Sequence, residues 1–363
     1  MSCFKPNFIV KEKLTRAEFI STKMIHFKDP KFNWKFPKDT KKGYFIYQFV
    51  NGYDYDNFKN NPDYVKDRYE VVQVPCGCCI GCRLDYSRQW ANRCYLESLG
   101  SKDTYFITLT YDDDHLPKGK YGNSTLIPDD LKKFIKDLRA YYKYHYNLDN
   151  IRYFACGEYG DISMRSHYHL IMFNLPIYDL DPNFIYEENG QIYITQHVEN
   201  GYVYKYSDII HKIWNKGNIL IGDATWQSMA YVARYVTKKL KGKDAEVYDA
   251  LGIEPEFVRM SRMPGLGEEY FKNHYKEIYE NDNVIIFNGN NANACQPPRY
   301  FDKLVEKYEL SDVDLKAIKD YRIAHSEDAQ KSIDVLSNCS YLEYIDSLEK
   351  KKKRQVSILK RVI

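Results

Sequence analysis

The spacing of apolar and polar positions changes period several times along the chain, and each change marks an element. Residues 104–111 read TYFITLTY, β-branched and aromatic on both faces, as a central strand does when both sides are covered. Leu131, Phe134, Ile135 and Leu138 recur at helical spacing behind Pro128, Asp129 and Asp130, which predicts a helix starting there. Residues 151–158 and 167–174 predict two strands joined by a loop holding Gly160 and Asp161, and an antiparallel hairpin closed by Pro176 is the simplest arrangement. Residues 177–206 are polar and read as an inserted, loop-rich hairpin. Ser207 is placed to cap a short helix over 208–215 that stops by Gly217. A strand over 218–222 follows, then a helix from Thr225 to about Leu240, ended by Gly242.

On either side the pattern is weaker. Ile80, Leu84, Trp90, Ala91, Cys94, Tyr95 and Leu99 predict a helix from Cys79 to Leu99, ended at Gly100. Residues 1–75 show no sustained periodicity and read as short strands and loops. Pro264-Gly265-Leu266-Gly267 and Pro297-Pro298 punctuate an irregular stretch, and from Ser311 onward the chain is charged and helical. The sum is an α+β fold with a central, mainly antiparallel sheet of about five strands and flanking helices. Three parts are expected: an N-terminal segment over 1–75, a main domain over 76–305 with a Cys-rich entry helix and the insertion at 177–206, and a charged helical tail over 306–363.

Composition narrows the chemistry. The 363 residues include 35 tyrosines, whose rings pack while their hydroxyls stay wet, a surface suited to stacking on nucleobases. A net charge of only +3 means that any nucleic-acid site is local and not a polycationic surface. Such local runs exist at Arg234, Lys238, Lys239, Lys241 and Lys243, and again at Lys350–Arg354. No apolar leader or run of transmembrane length occurs, so the expectation is a cytosolic protein with no membrane partner. Of nine cysteines, Cys76, Cys78, Cys79 and Cys82 crowd into seven residues, and they either bind a structural Zn²⁺ or stay as reduced thiols.

The candidate chemistry centres on His167-Tyr168-His169. Residues two apart on a strand share a face, so the two imidazoles project together and Tyr168 points the other way. Glu158 on the neighbouring hairpin strand reaches the same face, and two imidazoles with one carboxylate leave coordination positions open for a phosphate oxygen and water. On the later helix Tyr231 and Tyr235 lie four apart on one side, with Lys238 continuing that line and Met229, Val232, Ala233, Val236 and Leu240 forming the adjoining apolar stripe. A tyrosine hydroxyl with its ordinary pKa near 10 is a weak nucleophile, and nearby cations such as Arg234 or Lys238 favour its phenolate. His115, after the acidic turn at 112–114, is a further candidate for the site's edge or for a solvated turn.

Phe106–Thr110 (FITLT), GEYGDISMRSHYHLIMF and YVARYVTKK resemble, in that order, the three motifs of HUH rolling-circle replication initiators. The resemblance is closest to the initiators of microviruses, the small single-stranded DNA phages, and especially to the gokushovirus type. PCGCCIGCRLDYSRQWANRC, the turn at 264–267 and PPRYFDK are also similar to that group, so the match spans about residues 70–305. It implies an endonuclease domain in which His167, His169 and Glu158 hold Mg²⁺ or Mn²⁺, and Tyr231 and Tyr235 act in turn as nucleophiles. Lys238 would assist them, and Arg234, Lys239 and Lys241 would contact DNA. The implied activity is nicking and rejoining of single-stranded or origin DNA in the cytoplasm of a bacterial host, beside its helicase, polymerase and single-strand-binding protein. A plasmid relaxase or transposase of the same superfamily, or a non-catalytic single-strand-binding protein, are the alternatives.

Overall fold

The computed structural model describes residues 3–17, 34–40, 43–51, 69–160, 163–181, 185–188, 191–194, 204–235, 245–336 and 341–358. The chain forms two compact units, 1–85 with 319–363, and 86–318. The N- and C-terminal segments thus share a unit, whereas three consecutive parts were expected.

In the first unit the segment that lacks periodicity is a four-stranded sheet. Strands β1 (Asn7–Leu14), β2 (Trp34–Thr40), β3 (Gly43–Asn51) and β4 (Tyr69–Val74) lie in the order β2-β3-β1-β4, with every pair antiparallel. Strands β1 and β4 are aligned from Asn7 opposite Val74 to Glu12 opposite Tyr69. Helix α1 (Ile80–Leu99) then begins, close to where its apolar spacing predicts.

The second unit is built on one five-stranded sheet, fully antiparallel, in the order β10-β5-β7-β6-β11. Its members are β5 (Thr104–Thr110), β6 (Arg152–Tyr159), β7 (Ser166–Phe173), β10 (Ile219–Asp223) and β11 (Phe257–Met260). Helix α2 (Pro128–Tyr146) starts on Pro128 with Asp129 and Asp130 in its first turn, where acidic side chains suit the positive end of the helix dipole. Between β7 and β10 the insertion carries the small hairpin β8 (Ile185–Glu188) and β9 (Gln191–Ile194), and then α3 (Asp208–Trp214). Ser207 caps α3 by accepting from the Ile210 amide, and left-handed Asn215 closes it.

The sheet is covered on both faces. Ile107, Leu109, Tyr168, Leu170, Met172, Ile219 and Ile221 point to one face and pack with Leu131, Phe134, Ile135 and Leu138 of α2 and with Ile210 and Trp214 of α3. Phe106, Ile171, Phe173, Phe154 and Cys156 point to the other and meet Ala91 and Cys94 of α1 and helix α4 (Trp226–Arg234). The alternation is the period of two that a strand imposes, and it places His167 and His169 on the α4 face while Tyr168 is buried on the α2 face.

Beyond α4 the chain is more regular than its proline and glycine punctuation suggests. Helix α5 (Glu246–Leu251), strand β11, helix α6 (Glu268–Asn281), the hairpin β12 (Val284–Asn288) and β13 (Asn291–Cys295), and α7 (Arg299–Lys307) follow in turn. Phe271, Ile278, Ile286, Phe301 and Leu304 make a separate core there with Leu96 of α1. Helices α8 (Leu315–Leu336) and α9 (Tyr341–Ile358) occupy the charged C-terminal stretch. Among the described residues no helix is long and apolar enough to cross a membrane.

Candidate active site

Strand pairing builds the site. In the β6/β7 ladder Glu158 stands opposite His167 and Cys156 opposite His169, while β5 sets Thr110 and Thr108 on the other side of the same two histidines. Gly157 lets β11 close over this point, because a Cβ there would lie 2.8 Å from the Phe257 ring. One oxygen of Glu158, Oε1, lies 2.9 Å from Nε2 of His167 and 2.9 Å from Nε2 of His169. Glu158 is 1% exposed and His169 4%, so a carboxylate and an imidazole are buried with each other as partners.

The outer nitrogens of the imidazoles are committed. Nδ1 of His167 lies 3.1 Å from the Arg165 carbonyl, which only accepts, so that nitrogen carries the proton. Nδ1 of His169 lies 2.9 Å from Thr108 Oγ1. In a neutral His167 the inner Nε2 is then a bare lone pair aimed at a carboxylate oxygen, an arrangement that needs either a proton or a cation between them. Burial alone would raise the Glu158 carboxyl, but hydrogen bonds with His167 and His169 and their charge outweigh it and hold it well below the usual carboxylate range. The three donor atoms all fall within 4.8 Å of one another. Neighbouring ligands on an octahedral ion at about 2.1 Å from the metal stand roughly 3 Å apart, so the two 2.9 Å spacings from Glu158 match two edges of such a shell. The residues fit a divalent cation.

Helix α4 brings the tyrosines. Thr225 accepts from the Ser228 amide while the Ser228 hydroxyl bonds back to the Thr225 amide, a capping box that sets the start of the helix. Met229, Val232 and Ala233 bury its apolar stripe against the sheet. Tyr231 then extends over the site, its hydroxyl 3.4 Å from His169 Nε2 and 3.5 Å from Glu158 Oε1. Phe106 stacks on the His169 ring at 5.4 Å and meets Tyr231 edge-on at 6.2 Å. Tyr235, the C-cap, is buried and stacks on His169 at 5.8 Å between ring centres.

Burial, then the Glu158 charge, raise both tyrosine hydroxyls above their usual value. For Tyr231 a hydrogen bond with Tyr235 and the charge of Arg234 work the other way. For Tyr235 the bond with Tyr231 adds to the rise. Arg234 is exposed, its guanidinium 5.6 Å from the centre of the Tyr231 ring.

The structure thus brings together Glu158, His167, His169, Tyr231 and Tyr235, with Arg234 beside them. Lys238, Lys239 and Lys241 lie outside the described residues. His115 is away from the cluster: its backbone and ring bond to Asp112 Oδ1 at 2.8 and 2.7 Å in an exposed turn. Three supporting groups escaped sequence reasoning, namely Thr108, the Arg165 carbonyl and Phe106. Thr108 and Phe106 sit in the FITLT strand and point to the histidine face, a placement visible only once β5 is known to pair with β7. Among the cysteines, Cys78 is exposed, and Cys3 takes its place beside Cys76, Cys79 and Cys82.

A fully antiparallel sheet carrying a two-histidine, one-carboxylate cluster under a pair of tyrosines defines a metal-site class of DNA-processing protein only in outline, and the relatives sharpen it. Residues 104–240, which contain every residue of the cluster, match the model of the replication-associated protein ORF2 family. The chain is 36% identical to replication-associated protein ORF2 of Spiroplasma virus 4 over 313 residues, covering 84% of this chain and 92% of that one. It is 30% identical to replication-associated protein VP4 of Bdellovibrio phage phiMH2K, covering 73% and 78% respectively. Replication-associated protein ORF4 of Chlamydia phage 1 is 29% identical, with 66% and 55% covered. No solved structure matches. The chain belongs to the replication-associated protein ORF2 family.

Proposed function

We propose that this protein starts rolling-circle replication of a small single-stranded phage genome by nicking origin DNA with Tyr231 and rejoining it later. The observation that carries this reading is the Tyr231 hydroxyl at 3.4 Å from His169 and 3.5 Å from Glu158, above a donor set that fits Mg²⁺ or Mn²⁺. Bound there, the ion would supply Lewis-acid withdrawal of charge from a phosphate oxygen.

The protein's own residues do the rest. Tyr231 Oη forms a bond to phosphorus as the bond from phosphorus to the 3′ oxygen breaks; the phenolic proton is lost and the leaving oxygen gains one. The products are a 5′-phosphotyrosine and a 3′-hydroxyl able to prime synthesis. Because the phosphodiester energy is kept in that linkage, attack by a later 3′-hydroxyl closes a circle without ATP. Tyr231 makes the first cut: it is the less buried of the pair, and Arg234 and Tyr235 both favour its phenolate. Tyr235 serves the second cleavage once the DNA is attached to Tyr231. Arg234, with Lys238, Lys239 and Lys241, holds phosphates, and exposed aromatics stack bases. The setting is the bacterial host cell, with its helicase, polymerase and single-strand-binding protein extending and covering the displaced strand.

Incubation with Mn²⁺ and an origin-type single-stranded oligonucleotide should give a covalent adduct visible on a denaturing gel. Tyr231→Phe should lower its initial rate at least about a hundredfold, since removing a nucleophile leaves only the weaker, more buried hydroxyl. Tyr231→Phe with Tyr235→Phe should abolish it, and His169→Ala should lose metal-dependent cleavage. Undiminished adduct in the double variant would rule the mechanism out.

A further inference from the structure

The cysteine group lies apart from the active site and within the first unit. Cys3, Cys76, Cys79 and Cys82 bring their four sulfurs within 4.8 Å of one another. Cys79, Cys82 and Cys3 are buried at 6, 7 and 2% exposure. Sequence spacing alone groups the wrong thiols, because Cys78 is near in the chain yet faces solvent while Cys3 is more than seventy residues away. The β1/β4 ladder explains the meeting. Asn7 stands opposite Val74, so the chain just before β1 and just after β4 emerges at the same end of the sheet, carrying Cys3 and Cys76. The turn that follows, with Gly77 at a positive φ of 75°, leads into α1, with Cys79 just ahead of the helix and Cys82 in its first turn.

We propose that these four cysteines bind one structural Zn²⁺. Zinc–sulfur bonds of about 2.3 Å make the edge of a tetrahedron of sulfurs about 3.8 Å. Cys76 and Cys82 are 3.9 Å apart between sulfurs, and Cys3 and Cys79 also 3.9 Å. A disulfide needs about 2.05 Å and would take two thiols while leaving two. An iron–sulfur cluster gives each thiolate its own iron at a separate corner, which spreads the sulfurs farther than this.

Backbone amides already point at the sulfurs, as they do where sulfur carries negative charge. The amide of Cys76 donates to Cys3 Sγ at 3.3 Å, and that of Cys79 to Cys76 Sγ at 3.3 Å. Cys79 Sγ accepts from the Phe4 amide at 3.3 Å and from that of Cys82 at 3.5 Å. The apolar group around them is small: among the described residues, Phe4 packs there beside the cysteines. A bound ion would therefore hold the end of the β1/β4 ladder to the start of α1 where little apolar packing does so.

Full-length protein purified without chelator should contain about one zinc per chain by mass spectrometry of the metal. A mercurial reagent should release it in step with the modification of four thiols, and a strong chelator should lower the melting temperature. Cys78→Ser should keep the zinc, whereas Cys3→Ser should lose most of it. Replacement with Co²⁺ should give the visible absorption of a tetrahedral tetrathiolate, which serves even if the serine variants do not fold. Folded wild-type protein with no bound metal, iron in place of zinc, or loss of zinc in Cys78→Ser but not in Cys3→Ser would each overturn the proposal.

Discussion

Thr108 shows how much of a metal site lies behind its ligands. Its hydroxyl, 2.9 Å from Nδ1 of His169, sets the imidazole so that Nε2 faces Glu158, and the Arg165 carbonyl does the same for His167. Outer partners of this kind are worth about 10- to 100-fold in metal affinity. Thr108→Val should therefore raise the Mn²⁺ concentration needed for half-maximal adduct formation by about that factor, with the rate recovering at saturating metal. Loss of the saturated rate itself would mean that Thr108 acts on the chemistry directly. Two imidazoles beside a single carboxylate are softer than the oxygen shells that Mg²⁺ prefers. Mn²⁺ should accordingly support adduct formation at a lower concentration than Mg²⁺, measured by titrating each ion into metal-free protein.

Among elements, the informative junction is where α1, the turn at 264–267 and α7 meet. Arg93 of α1 lies between the rings of Trp90 and Tyr300, 4.3 and 3.9 Å from their centres, and donates to the Leu266 carbonyl at 3.0 Å. Glu97 accepts from the Gly267 amide at 2.7 Å and pairs with Arg152. Gly265 must lack a side chain, since a Cβ there would collide with the Tyr300 hydroxyl. Glu268, 3% exposed, collects bonds from the Gly265 amide, Tyr300, Tyr308 and Lys307. Against the effect of burial, those donors lower its pKa from 4.5 to about 2. The ionised form is thus favoured by folding, so its contribution is complete above about 4.5 and fades as pH falls toward 2. Glu268→Gln should cost roughly 1–3 kcal/mol at neutral pH, and thermal melts across the acid range should show wild type and variant converging. A constant gap at all pH values would refute the charge-based account.

For the molecule as a whole, a net charge of +3 leaves DNA binding to local clusters. Affinity for single strands should fall with salt according to the few phosphates those clusters neutralise. Replacing Lys238, Lys239 and Lys241 together by alanine should flatten the logarithmic salt dependence by roughly two, at about 0.7 for each phosphate no longer neutralised. Fluorescence anisotropy with a labelled oligonucleotide at several salt concentrations measures it, and an unchanged slope would remove these lysines from the DNA path.

Local pattern by itself determined the strands at 104–110, 152–159 and 166–173, the helices beginning at Pro128, Asp208 and Trp226, and the shared face of His167 and His169. These follow from residue periodicity and capping chemistry, which act within a few positions. The approach of Glu158 was legible too, because a hairpin's register follows from its short loop. What only the tertiary structure decided depends on neighbours distant in sequence. The four strands before residue 75 and the fifth strand β11 gain regularity from their partners, not from their own pattern. Thr108 and Phe106 reach the site through β5 pairing with β7, and Tyr231 through the docking of α4 on the sheet. Cys3 joins Cys76, Cys79 and Cys82 because β1 and β4 run side by side, a neighbourhood that no spacing along the chain encodes.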